Sequence, residues 1–348
     1  MLIVVSSFSE LGGVSNHHMG LKSYWKLDVA YEFYGKRYSI PAIFLFVFDL
    51  LKYTIKLCFG KYDIVMINPS LRRYQLFRDG IYLILAKLFN KKVITFIHGW
   101  DKNLANHFIE KPNPFYKVYN KSDIIYVLCN EFKTKLLKIG LKSNILLTTT
   151  KVSDSLVKEF NINKRSGIIK DILFLGRVVK NKGIFETIEI FQILIQKNPE
   201  LTLTVVGDGK NLKESKDYVK RLKLNNVNFV GKKMNDEIIP FFEKADLYLL
   251  PTTHGEGMPT SVLESMAFGL PVITRPVGGT VDFFREGEMG YLIKSLNPQD
   301  YVNKISTLIN NPNQTKKISK HNFIYAKSNF LASLVTKKME GEILRCIK

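Results

Sequence analysis

Short apolar runs separated by stretches of helical spacing recur along almost the whole chain, and this alternation restricts the fold more than any other feature. A strand buried on both faces reads as a near-continuous apolar run, and consecutive parallel strands need a crossover that is usually a helix. In the first half the candidate strands are Leu2–Ser6, Asp28–Tyr34, Ile64–Asn68, Val93–His98, Ile124–Leu128 and Ile145–Thr148. In the second half they are Ile172–Leu175, Leu203–Val206, Val227–Val230, Asp246–Leu250, Pro271–Thr274 and Tyr291–Lys294. A polar stretch from Lys158 to Lys170, with Asn161, Asn163, Ser166 and Gly167, is the best linker candidate between the two alternations. A chain of 348 residues suits two α/β domains of the usual ~100–200 residues each.

Residues 249–290 read LLPTTHGEGMPTSVLESMAFGLPVITRPVGGTVDFFREGEMG. A buried strand leads into a loop carrying His254, Gly255, Glu256 and Gly257, and then a helix from about Ser261 to Phe268. Gly269 stands where a C′ glycine belongs, and Pro271 prevents continuation of the helix. Ser261-x-x-Glu264 has the form of a capping box, which would give Glu264 a structural role. Glu256 lies between two glycines at the mouth of a helix that follows a buried strand, where open α/β sheets build ligand sites and free amides attract anions.

Glu256-x7-Glu264, embedded in GEGMPTSVLESMAFGLPVI and followed by Val277-Gly278-Gly279, resembles the signature of the retaining GT-B glycosyltransferases of family GT4. Other parts of the chain resemble the same family. Gly12-Gly13 follows the first strand, His98-Gly99 ends the fourth, and Gly176-Arg177-x4-Lys182-Gly183 follows the first strand of the second half. The resemblance implies two Rossmann-like domains facing each other across a cleft: an acceptor domain at 1–160, a donor domain at 161–325, and a helix at 326–348 crossing back to the first. It implies that Arg177 and Lys182, with amides at Gly12, Gly13, Gly176 and the Gly257–Met258–Pro259 helix mouth, hold the donor diphosphate. Glu264 would bind ribose hydroxyls, and Gly231 and Lys232 would flank the base. Glu256 and His98 would take opposite sides of the sugar, and Trp100 and Asp101 would face the acceptor. Catalytic duties fall on Glu256, His98, Arg177 and Lys182.

The implied reaction is transfer of a sugar from a UDP- or GDP-linked donor to a glycan or polyprenyl-diphosphate-linked acceptor in bacterial O-antigen, capsule or exopolysaccharide assembly. No cofactor and no metal is expected: no Asp-x-Asp pair occurs, and two cations already oppose the phosphates. No carboxylate stands out as a nucleophile, so a front-face displacement is expected rather than a covalent intermediate. Gly207-x-Gly209 lacks the third glycine and the following acidic residue of a dinucleotide fingerprint, which argues against an NAD enzyme. His17 and His18 have no companion at metal-ligand spacing and read as helix residues near the first glycine loop. His254 is either a loop residue or a contact to donor or acceptor.

The net charge of +20 comes from 51 basic and 31 acidic residues spread along the chain, without a nucleic-acid-binding motif. It fits phosphorylated substrates and an anionic membrane surface better than nucleic acid. Residues 40–59 are the most apolar segment, but Asp49, Lys52 and Lys56 interrupt them. They form a helix packed on the sheet or an interfacial membrane helix, and the helix near Gln75–Phe89 would suit peripheral attachment too. Three dispersed cysteines and an N-terminus that reads as a strand suggest a cytoplasmic protein, at most peripheral on the inner face of the membrane. Two other classes compete: another GT-B enzyme (a soluble-glucan synthase or a nucleotide-sugar epimerase) and a non-enzymatic basic binding protein.

Overall fold

The structure is a computed structural model that describes residues 1–8, 12–35, 42–111, 114–255 and 257–347. The chain divides into two units: 1–151 with 255–258 and 332–348, and 152–254 with 259–331.

The first unit is built on six parallel strands: β1 (Leu2–Ser6), β2 (Ala30–Tyr34), β3 (Ile64–Ile67), β4 (Lys92–Ile97), β5 (Ile124–Val127) and β6 (Asn144–Leu147), in the order β2-β1-β3-β4-β5-β6. Its early helices are α1 (Gly13–Leu21), α2 (Ala42–Phe59), α3 (Arg73–Leu88), α4 (Lys102–Glu110), α5 (Phe115–Tyr119) and α6 (Asn130–Ile139). Except for β2 (Ala-Tyr-Glu-Phe-Tyr) the strands are rich in Val, Ile and Leu, and β5 is buried at every position, as a parallel sheet covered on both faces requires. Helix α2 buries Leu45, Tyr53 and Leu57 at a four-residue repeat, with Asp49 between them accepting the Gly35 amide at 3.2 Å. Lys52 and Lys56 of the same helix pair with the buried Glu32 of β2 at 2.9 and 2.6 Å. Among the described residues no helix is long and apolar enough to cross a membrane.

The second unit has six more parallel strands: β7 (Asp171–Leu175), β8 (Thr202–Val206), β9 (Val227–Gly231), β10 (Leu247–Leu250), β11 (Val272–Thr274) and β12 (Gly290–Leu292), in the order β12-β11-β10-β7-β8-β9. Its helices are α7 (Ile184–Leu194), α8 (Leu212–Arg221), α9 (Ile239–Lys244), α10 (Thr260–Ala267), α11 (Thr280–Phe283), α12 (Pro298–Ile309) and α13 (Pro312–Asn329). The last helix, α14 (Ala332–Ile347), groups with the first unit. There the Glu340 carboxylate accepts the Lys26 and Leu27 amides at 2.5 and 2.8 Å, and Met339 and Ile343 are fully buried.

Each sheet reverses its direction of growth once, between β1 and β3 in the first and between β7 and β10 in the second. Such switch points open a crevice at the carboxyl ends of the two strands, where ligands of open α/β sheets bind. All twelve strands fall within a few residues of the apolar runs read from the sequence. One local expectation fails. Helix α10 begins at Thr260 with Pro259 as N-cap and no side-chain cap, so Ser261 and Glu264 form no capping box. Starting one residue early puts Ser261 inside the helix, where its hydroxyl bonds the Tyr248 hydroxyl at 2.7 Å instead. At the other end the expected glycine stop is present. Leu270 N donates to the Ser265 carbonyl at 2.9 Å and Gly269 N to that of Met266 at 2.8 Å, a Schellman motif.

Candidate functional site

In the second unit the carboxyl ends of β7 and β10 are neighbours at the switch point, and both carry sequence-predicted residues. Past β7 come Gly176 and the exposed Arg177. A single 3₁₀ turn, Lys180–Lys182, then brings a half-buried Lys182 to the start of α7. Gly183 joins the two with φ +82°, and a Cβ there would lie 2.6 Å from the Pro251 carbonyl oxygen, so both backbone angle and space demand glycine.

The loop after β10 is fastened to that turn. The Asn181 carbonyl accepts the Thr253 and His254 amides, each at 2.9 Å, and the Thr252 hydroxyl at 3.1 Å. His254 Nε2 lies 3.4 Å from Arg177 Nη2, and Nδ1 lies 3.1 Å from the Asn181 amide group. A guanidinium can only donate, so Nε2 accepts and the proton of the neutral ring is on Nδ1. The Asn181 amide then turns its oxygen toward Nδ1, an assignment made from the network. His254 thus aims Arg177, a role that sequence reading left open.

Tyr248, buried in β10, bonds the Leu175 carbonyl at 3.0 Å as well as Ser261. It ties the first turn of α10 to the residue preceding Gly176-Arg177. Glu264 lies one turn further along α10, half-buried, and Pro259 caps the helix. At the end of β9, Gly231 takes φ +76° and accepts the Gly207 amide at 2.8 Å, with Lys232 exposed beyond it.

In the first unit the crevice between β1 and β3 is lined by α1, whose N-cap is Gly12 and whose first residue is Gly13. With no acidic residue in the first turn, its leading amides are available to an anion. Behind them lies a histidine cluster that sequence reading missed. His17 and His18 are buried in α1, and their rings meet the His98 ring edge-on at 5.4 and 5.6 Å. His98 stacks on Phe96 at 3.7 Å. The hub is Asn68, just past β3. Its Nδ2 donates to the Val4 carbonyl at 3.0 Å, so Oδ1 must be the atom facing His18 Nε2 at 2.7 Å and His98 Nε2 at 3.0 Å. Both histidines therefore carry their proton on Nε2. Burial first, then His17 and His18, pushes His98 well below the usual histidine range. Burial brings His18 down to about 4. His98 is a neutral imidazole at physiological pH, with Nδ1 as its free-standing acceptor position. The signal for Asn68 is its place: an amide directly after an apolar run, as His98 follows the next one.

The loop residues 255–258 group with this unit. A Cβ on Gly257 would lie 2.6 Å from Leu128 Cδ1 and 2.9 Å from the His98 carbonyl oxygen, so glycine lets the loop backbone pack against the end of β4. Met258 is buried, and its carbonyl accepts the Thr150 hydroxyl at 3.4 Å. Glu256 lies outside the described residues. Asp101 is the N-cap of α4, its carboxylate accepting the Leu104 amide at 3.0 Å. The Trp100 indole is buried and stacked on Phe132 at 4.1 Å, so the ring is part of the core rather than of a surface. Among the described residues no group of three or more His, Cys, Asp or Glu is placed to hold a metal ion.

Residues 158–324 match the family described as Glycosyl transferases group 1. An uncharacterized glycosyltransferase of Haemophilus influenzae is 32% identical over 241 residues, covering 67% of this chain and 66% of that protein. The capsular polysaccharide biosynthesis glycosyltransferase CapM of Staphylococcus aureus is 27% identical over 219 residues, 62% of this chain and 56% of CapM. The chain thus spans just under two thirds of the first relative's length and little more than half of the second's. Among solved structures, Anabaena Alr3699/HepE in complex with UDP superposes with a TM-score of 0.77 at 16% identity, covering 99% of each chain, which is a likeness of fold. Two six-stranded parallel sheets of this kind are the GT-B architecture, and residues 158–324 carry the match to the glycosyltransferase group 1 family.

Proposed function

We propose that the chain transfers a sugar, with retention at the anomeric carbon and without a metal ion, from a nucleoside-diphosphate sugar to a glycan or polyprenyl-diphosphate-linked acceptor in surface-polysaccharide assembly. The observation that carries the reading is the pair of cations at the second switch point: Arg177 aimed by His254, and Lys182 set by the tight turn at Gly183. Two fixed cations beside the first amides of α10 suit a diphosphate whose charge grows as the glycosidic bond breaks. Glu264 holds ribose hydroxyls, Gly231 and Lys232 flank the base, and Glu256 binds sugar hydroxyls. Neutral His98 accepts a hydroxyl through Nδ1, and Gly12 and Gly13 present amides to the phosphates. Asp101, beyond the buried Trp100, faces the acceptor. The similarity to CapM supports the polysaccharide setting, and UDP bound by HepE favours UDP over GDP as the nucleotide. The enzyme works at the surface of an anionic membrane, where its lipid-linked acceptor resides.

Calorimetric titration of UDP and GDP into wild type, Lys182→Ala and Glu264→Ala tests the donor side. One nucleotide binds the wild type and binds both variants at least tenfold more weakly. Turnover of the matching nucleotide sugar falls ~10²–10³-fold in Lys182→Ala. Absence of binding to either nucleotide would sink the reading.

A further inference from the structure

The outward face of α2 repeats Ile43, Val47, Leu51, Ile55 and Phe59, four residues apart, each at least half exposed and none charged. Helix α3 lies beside it, joined by Tyr53 and Tyr82, whose rings meet at 4.9 Å. Helix α3 has its own exposed stripe of Tyr74, Phe77, Ile84 and Leu88. Water-facing helices normally carry charge on that side. Exposed basic residues flank the α3 stripe instead: Arg72 and Arg73 before it and Lys92 after it.

Along α3 this apolar face falls into a groove of about 400 Å³, in the range of small-molecule sites. Phe77, Ile81 and Ile84 of α3 form one wall, with Phe108 of α4 and Phe115 and Val118 of α5 opposite. From Arg73 to Ile84 the groove follows the helix for roughly 16 Å at 1.5 Å per residue. Its chemistry is one-sided. Among the described residues, Arg73, at one end, is the only charged residue of the lining, and no acidic residue lines it. Among the described lining residues the other polar side chain is that of Tyr119, whose hydroxyl already donates to the Leu76 carbonyl at 2.9 Å. An extended peptide or a sugar would leave its polar groups unpaired in such a groove, and a hydrocarbon chain would not.

We propose that this groove takes the hydrocarbon chain of a lipid whose phosphate head meets Arg73. Two features favour a lipid over a protein partner. Phe77 and Ile84 of the groove belong also to the exposed apolar stripe of α3, and the one charge among its described residues is a cation at the end of the slot. This deepens the acceptor side of the proposed transfer and rests on it for the identity of the lipid.

The test is calorimetry on the full chain with decyl phosphate, decanol and inorganic phosphate, the amphiphiles kept below their micellar concentrations. Decyl phosphate binds at least tenfold more tightly than decanol, and inorganic phosphate does not compete. Ile84→Asp, on the partly exposed rim, weakens both chain ligands at least tenfold. Phe77→Ser, at a position 70% exposed, provides a second variant that leaves the fold intact. Arg73→Ala reduces decyl phosphate to the affinity of decanol. Inorganic phosphate binding as well as decyl phosphate, chain binding unchanged in both groove variants, or self-association through this face without chain binding would each overturn the proposal. UDP titration of the same samples separates the two readings. Nucleotide binding without chain binding removes the groove alone, and chain binding without nucleotide binding removes the transferase reading alone.

Discussion

At the scale of residues, the histidine cluster makes the first unit acid-sensitive in a direction fixed by burial. His18 titrates near 4 in the folded chain against ~6.5 when exposed, because its charged form would be buried. Between those values the unfolded chain binds the extra proton, so stability is full above about 6.5 and declines as the pH falls toward about 4. The loss reaches on the order of 3 kcal/mol for His18 alone. His17 and His98 shift the same way. Among the described residues, the groups facing the cluster from the packed elements are the uncharged Asn68 and Phe96 and the charged Lys151, which further lowers His17. Urea midpoints for the wild type will be lower at about pH 5 than at about pH 7.5, and the difference will shrink in His18→Gln. Equal pH dependence in the two proteins would refute this. None of it was legible in the sequence. His17-His18 and His98 are 80 residues apart, and what unites them is the β1-β3-β4 neighbourhood, a long-range pairing that local apolar pattern does not encode. What local chemistry dictates was legible in the Gly269 stop, whereas Arg177 and Lys182 were singled out by the family resemblance and not by local chemistry. The capping box failed because Tyr248, thirteen residues upstream, competes for the Ser261 hydroxyl.

At the scale of elements, the stretch read as a linker proves to be a fastening. Arg165 lies buried with its guanidinium donating to the carbonyls of Phe242 at 2.7 Å, Glu243 at 3.0 Å and Ala245, all at the end of α9. It also donates to the carbonyl of Phe268, the C-cap of α10, at 3.0 Å. Helix C-termini carry unpaired carbonyls and partial negative charge, so one planar cation closes two helices at once. Burial brings its pKa down to about 10, still charged at neutral pH. The polarity of 158–170 suggested exposure because composition does not distinguish a solvated arginine from one enclosed by backbone oxygens. Arg165→Ala strands four carbonyls and should destabilise the second unit by roughly 3–5 kcal/mol, judged from the loss of a buried charged partner. Arg165→Lys recovers only part of this, since an ammonium cannot reproduce the fork. Chemical unfolding followed by a probe in the second unit, such as nucleotide-protected proteolysis, reads the effect. A loss under about 1 kcal/mol would show that water satisfies those carbonyls as well as the guanidinium does.

At the scale of the whole molecule, the first unit is not a contiguous piece of sequence. It is completed by residues 332–348, which arrive only after the second unit has been traversed. Helix α14 contributes Val335, Met339 and Ile343 to a buried face, and its Glu340 satisfies the Lys26 and Leu27 amides that precede β2. Fully burying such side chains stabilises by about 1.5–3 kcal/mol each. Three of them amount to much of the ~5–15 kcal/mol that holds a typical domain together. Truncation after Leu331 should therefore unfold the first unit, or leave it open to protease, while the sheet from β7 to β12 stays folded and keeps the nucleotide affinity proposed for it. Limited proteolysis with mass mapping, run beside UDP titration, distinguishes the outcomes. Cleavage confined to the first unit with binding intact fits a chain closed at its far end. A truncated protein as resistant as the full chain would mean that α1 and β2 are stable without α14, and that Glu340 caps amides that water serves equally well. Glu340→Gln is the gentler form of the experiment. It keeps the helix and weakens only the charge-assisted bonds, so it should lower the stability of the first unit by about 1–2 kcal/mol and leave the second unchanged.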